Sequence, residues 1–142
     1  MMRQSKTPRA ATPSVTRMDH LVLTVSDITA TLRFYEAVLG MQGESFEAAD
    51  GTTRWALKFG MQKINLHRAG HEFDPKAAQP GPGTADLCFL TDHPLDAWKA
   101  HLATLGVAIE LGPVARTGAT GPIQSLYLRD PDGNLIEVAH PV

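Results

Sequence analysis

Hydrophobic and polar positions along this chain switch between two periods, and the switch occurs twice. Residues 19–25 (Asp19-His20-Leu21-Val22-Leu23-Thr24-Val25) alternate with the period of a strand. Ile28, Leu32, Tyr35 and Leu39 then recur at intervals of 4, 3 and 4, an apolar stripe that predicts a helix. Ser26 or Asp27 stands where its N-cap belongs, and Gly40 where a left-handed C-cap belongs. Sixty-six residues further on the pattern returns without a gap. Asp86-Leu87-Cys88-Phe89-Leu90 opens a second strand, and Leu95, Trp98, Leu102 and Leu105 form a second stripe. There Asp92 or His93 can cap, Pro94 suits the first turn, and Gly106 closes the helix. Three short strand-like segments follow each helix, at 44–48, 53–59 and 62–67 and again at 107–111, 123–129 and 134–139. Asp50-Gly51 and Asp132-Gly133 are turn dipeptides between them.

Each half therefore reads βαβββ, and the chain is expected to be α+β, with two such modules pairing curved mixed sheets around a cleft. Module one covers about residues 18–70 and module two 85–140. The linker at 71–84 is marked by Pro75, Pro80 and Pro82 with Gly81 and Gly83.

Strand side chains alternate between faces, so this pattern also sorts the candidate chemistry. Leu21, Leu23 and Val25 suit packing beneath a helix, which turns His20, Val22 and Thr24 the other way. By the same rule Lys63, Asn65 and His67 oppose Ile64 and Leu66. Asp86 and Cys88 oppose Leu87 and Phe89, and Glu137 opposes Ile136 and Val138. His20, His67, Asp86 and Glu137 are thereby expected to converge as two imidazoles and two carboxylates. That is a donor set for a divalent metal such as Fe, Ni, Zn, Mn or Co. A lone strand histidine is ordinarily a surface residue; the place of His20 at the head of a repeated strand argues otherwise. Glu137, inside Leu135-Ile136-Glu137-Val138-Ala139, needs a partner if buried. Arg116 lies in the glycine-rich stretch 112–121, read here as a mobile loop whose guanidinium can clamp an anionic substrate.

Charge narrows the partners. Residues 1–17 carry four of the thirteen Lys and Arg and none of the fifteen acids, so the rest of the chain is acidic. This argues against nucleic acid, which needs a basic surface. Residues 1–17 have no apolar signal core and read as a disordered leader. No apolar run has the length needed to cross a membrane. The single cysteine, Cys88, excludes an internal disulfide and fits a reducing compartment, so the cytoplasm is the expected location.

The segments MDHLVLTVSD with His20, FYEAVLGM at the first helix end, and RDPDGNLIEV with Glu137 resemble the vicinal oxygen chelate superfamily. Its members include glyoxalase I, extradiol dioxygenases, fosfomycin-resistance thiol transferases and bleomycin-binding proteins. FGMQKINLH, HEFDPKAA, ADLCFLT and GPVARTGATGPIQSLYLRDPDGNLIEV are similar to glyoxalase domain-containing protein 5 and its bacterial relatives. The resemblance covers about residues 18–140.

What the resemblance implies is a metal-holding cleft with ligands at positions 20, 65, 86 and 137. Asn65 stands where glyoxalase I has Glu, and Asp86 where a His is common, so His67 becomes a substitute ligand and Asn65 a substrate contact. Glu137 matches the glutamate that moves a proton in glyoxalase-type isomerisation. Tyr127 matches a tyrosine of the ring-cleaving dioxygenases. The expected function is a metal-dependent enzyme of lyase, isomerase or dioxygenase type that binds two adjacent oxygens of a small molecule. The alternative is a metal-free protein that binds a drug or metabolite, as bleomycin-resistance proteins do. A thiol transferase of the fosfomycin type fits less well because of Asp86. A homodimer is expected, with module one of one subunit set against module two of the other.

Overall fold

The computed structural model describes residues 12–142. Residues 1–11 of the predicted leader lie outside the described residues; residues 12–17 are exposed and belong to no helix or strand. Module one runs β1 (His20–Val25), α1 (Ile28–Leu39), β2 (Gln42–Glu47), β3 (Thr53–Phe59) and β4 (Gln62–Arg68). Module two runs β5 (Asp86–Leu90), α2 (Leu95–Thr104), β6 (Leu111–Gly118), β7 (Gly121–Arg129) and β8 (Leu135–Pro141). The sheets have the orders β1-β4-β3-β2 and β5-β8-β7-β6, with β1 parallel to β4 and β5 parallel to β8. Both modules are therefore βαβββ, as the periodicity predicts.

The register repeats as well as the topology. Val22 pairs with Asn65 and Cys88 pairs with Glu137, so His20 lies diagonal to Asn65 just as Asp86 lies diagonal to Glu137. A two-residue period cannot slip without turning every side chain over, which makes this register a firm constraint.

The helices are less alike than their stripes. Asp27 caps α1 by accepting a hydrogen bond from the Ala30 amide at 3.0 Å, and Gly40 closes it at φ 70°. Helix α2 has Pro94 at its N-cap and no side-chain cap bond, contrary to the expectation for Asp92 or His93. Thr91 Oγ1 instead accepts from the His93 amide at 3.1 Å and from Trp98 Nε1 at 2.9 Å, which holds the helix entry by a different route.

Both modules bury their aliphatic faces in one common core. Leu23, Val25, Ile64 and Leu66 come from the first sheet, and Leu126, Leu128, Ile136 and Val138 from the second. Each fully buried aliphatic side chain contributes about 1.5–3 kcal/mol. A buried polar bridge fixes the junction: Tyr35 Oη donates to Asp130 Oδ2 at 2.7 Å. The same carboxylate accepts from the Asp132 and Asn134 amides, both at 2.9 Å, and from Asn134 Nδ2 at 2.8 Å. Asn134 Oδ1 in turn accepts from the Ala85 amide at 2.9 Å, which ties the β7–β8 turn to the start of β5.

One predicted strand is misplaced. Residues 107–110 belong to no strand, and the strand next to β7 is Leu111–Gly118. The stretch taken for a mobile loop is thus mostly strand. β6 is an edge strand with a register shift between Leu111 and Val114, the setting in which Gly and Pro are tolerated. Gly112 takes φ 116°, and a Cβ there would collide with the Ser125 carbonyl, so only glycine fits.

Candidate functional site

The polar faces carry two residue pairs in equivalent strand positions. On the first sheet, His20 heads β1 with its side chain 43% exposed, and Asn65 sits half-buried on the neighbouring strand. Asp19 Oδ2 lies 2.8 Å from His20 Nδ1, and this hydrogen bond holds the Asp19 carboxyl below its ordinary range. An ionised partner there makes Nδ1 the donor and leaves Nε2 outside the pair. Asn65 Oδ1 is buried and has no hydrogen-bond partner, the one such side-chain atom among the described residues. A buried unpaired acceptor is costly, so it awaits a donor or a cation.

On the second sheet, exposed Asp86 opens β5 and half-buried Glu137 lies in the middle of β8. Ser125 Oγ donates to Glu137 Oε2 at 2.5 Å and fixes that carboxylate. Tyr127 pairs with Glu137 across the strands, and its hydroxyl accepts a hydrogen bond from Arg116 Nε at 2.9 Å. Arg116 therefore stands on strand β6 and not in a loop. Cys88, opposite Glu137, has its thiol pushed up to about 11, first by burial and then by the glutamate charge. It is a protonated neighbour of the carboxylate and a poor nucleophile at neutral pH.

His67 stands apart. It pairs with Thr24, four residues along β1 from His20, or about 13 Å along the strand direction. Its ring is buried and meets Phe73 edge to face at 5.3 Å, with the Arg54 guanidinium 3.7 Å from the centre of the Phe73 ring. Burial first, and then the Arg54 charge, lowers its pKa below 6.5 and favours the neutral ring.

The four expected ligands do not converge within one chain. Among the described residues no three His, Cys, Asp or Glu side chains come close enough to hold a metal ion. The reason is the shared core. Because both sheets turn their aliphatic faces toward it, the His20–Asn65 and Asp86–Glu137 faces are turned away on separate sheets. Both retain large exposed side chains, Val22 on the first and Leu90 and Leu111 on the second. Sequence reasoning missed Ser125 and Asp19. Signals for both were present: a hydroxyl within the mostly apolar strand Ile123–Leu128, and a carboxylate adjoining the candidate histidine.

No helix among the described residues is long and apolar enough to cross a membrane. The virulence protein STM3117 of Salmonella typhimurium is 55% identical over 128 residues, 90% of this chain and 86% of that protein. Its crystal structure matches with a TM-score of 0.86 over 92% of this chain and all of the other. The glyoxalase domain-containing protein RDO1 of Mycosarcoma maydis is 50% identical over 126 residues, 89% of this chain and 69% of that protein. More distantly, lactoylglutathione lyase of Agrobacterium tumefaciens matches with a TM-score of 0.64 at 25% identity, over 89% of this chain and 95% of the other. The βαβββ duplication accords with these likenesses, and residues 17–138 match the family model; the chain belongs to the Glyoxalase/Bleomycin resistance protein/Dioxygenase superfamily.

Proposed function

We propose that this protein is a metal-assisted enzyme that moves a proton in a small molecule bearing two adjacent oxygens. Its working site is assembled from the first-sheet face of one chain and the second-sheet face of another copy. The observation that carries the reading is the pair of equivalent diagonals, His20–Asn65 and Asp86–Glu137, each incomplete alone and each on an outward face.

The residues fit a divalent cation. His20 offers an oriented Nε2, Glu137 a carboxylate braced by Ser125, and Asn65 a buried unpaired oxygen. Asp86 completes the set. A cation held there supplies Lewis-acid polarisation of the two substrate oxygens. The chain's own groups do the rest. Glu137 would take the proton from the carbon beside the carbonyl and return it to the neighbouring carbon, with Ser125 holding the carboxylate in place. Tyr127 already accepts from Arg116, so its own hydrogen is left to donate to a substrate oxygen. Arg116 Nη1 donates to the Ala115 carbonyl at 3.0 Å, which leaves Nη2 to meet an anionic substituent. Lyase or isomerase chemistry is preferred to ring cleavage because the set contains one well-placed histidine, whereas non-haem Fe(II) oxygenases use two with one carboxylate.

A metal-free binding protein is the second reading, favoured by Asn65 where an ionised ligand is expected. Metal analysis of protein purified without chelators separates the two. Stoichiometric metal in the wild type, lost in His20→Ala and in Glu137→Gln, is the expected result. Mixing the two variants should restore about a quarter of the wild-type metal, because exchange leaves one intact site in half of the dimers. Metal absent from the wild type, or unaffected by both substitutions, sinks the proposal.

A further inference from the structure

Beyond His20 and Asn65, the polar face of the first sheet continues under the linker. A cavity of about 380 Å³ lies there, bounded by Val22, Thr24 and His67 on one side and by Pro75, Lys76 and Pro80 on the other. Neither the metal-binding set nor the proton transfer uses this space. Two features give it chemistry. His67 is 7% exposed, and no hydrogen bond joins its ring nitrogens to another described residue, although the ring lines the cavity. Thr24, also 7% exposed, brings a hydroxyl beside it. The His67 nitrogens are not sealed off as Asn65 Oδ1 is, so water or a ligand in the cavity that the ring lines can reach them.

The wall decides the ligand's charge. The lining includes one cation, Lys76, and neither Asp nor Glu. Lys76 reaches Glu72 only at 3.8 Å, with 41% of its side chain exposed, so its ammonium can turn to a stronger partner. The imidazole N–H, the threonine hydroxyl and the ammonium are three donors in one place, which suits a carboxylate. Val22, Leu23, Pro75, Ala77, Pro80 and Ala85 line the remainder, which suits a few methylene groups.

We infer that this cavity is a subsite for a short aliphatic carboxylate, gripped by His67, Thr24 and Lys76, which receives the far end of the substrate. The inference rests on the reading that the first-sheet face belongs to the substrate site. It gives His67 a role in specificity in place of metal ligation.

Butyrate is the probe, titrated into the full chain while the ring signals of His67 are followed by NMR and assigned by their loss in His67→Gln. A saturable shift is expected. Lys76→Met, at an exposed position that leaves the core intact, should weaken butyrate about tenfold. Inorganic phosphate should bind more weakly, having no chain to fill the apolar end. His20→Ala and Glu137→Gln should leave butyrate binding unchanged, even where they remove metal. No saturable shift overturns the subsite, as does a shift indifferent to Lys76→Met or one lost in His20→Ala. Phosphate binding as tightly as butyrate overturns the aliphatic assignment. Butyrate bound by a wild-type protein that holds no metal supports the subsite and overturns the half-site reading alone.

Discussion

The two modules share a register and differ in chemistry, and their difference is more informative than their likeness. The head of β1 carries His20 and the head of β5 carries Asp86; β4 places Asn65 where β8 places Glu137. The backbone puts the same four positions in equivalent places, so what each half can do is set by side chains alone. The first half offers a ring nitrogen and an amide oxygen. The second offers two carboxylates. Neither makes a metal site alone; in the proposed assembly the two would together supply a mixed set of borderline-soft and hard ligands.

The contrast extends to the helix junctions. Tyr35 and His101 are 66 residues apart and occupy equivalent helix positions. Tyr35 is fully buried and ends on Asp130, whereas exposed His101 contacts the Val38 carbonyl through Nε2 at 3.0 Å. Asp130→Ala removes an acceptor that serves four donors in the interior and should cost about 3–5 kcal/mol in denaturant unfolding. His101→Ala, made on the equivalent helix, should cost about 1 kcal/mol or less. Similar losses from both would mean that the junctions are equivalent after all.

The half-sites can be compared through the groups that brace them. Ser125 is buried beneath Glu137, whereas Asp19 is exposed beside His20. Ser125→Ala should lower metal affinity by about 10- to 100-fold, the usual range for such supporting groups, and by calorimetry Asp19→Ala should lie at or below the bottom of that range. The reverse order would locate the dominant ligand in module one.

The smallest expected effect concerns His67, which has no counterpart in module two, where Ala139 takes its place. Folding holds its pKa below 6.5, so the unfolded chain binds more protons as the pH falls. The corresponding stability is present above about pH 6.5 and is lost as the pH falls through the unfolded value toward the folded one. His67→Gln should flatten this slope in unfolding curves taken from pH 7.5 to 5; an unchanged slope would place the titration elsewhere.

Much of the fold was legible because its signals are local. Helix α1 declared itself through its stripe, Asp27 and Gly40, and the parallel heads of β1 and β5 through repeated alternation. The site was legible only as faces. His20 and Glu137 could be set opposite their aliphatic neighbours by counting. Strand β6 was hidden because Gly112, Pro113 and Gly118 read as loop; edge position and the bulge make them acceptable as strand. The α2 entry was misread because Thr91, outside the helix, does the work expected of a cap.

Local periodicity thus determined the two modules and the face on which each residue lies, while the pairing that sets His20 diagonal to Asn65 and Asp86 diagonal to Glu137 came with the sheets. Periodicity did so because a two-residue period leaves no freedom once one face is apolar. Only the tertiary structure decided which faces meet. The aliphatic faces of both sheets close on one core, and burying that surface outweighs any attraction among a few polar groups. The half-sites are left outward on separate sheets, and His67 goes beneath the linker, away from the ligands it was expected to join.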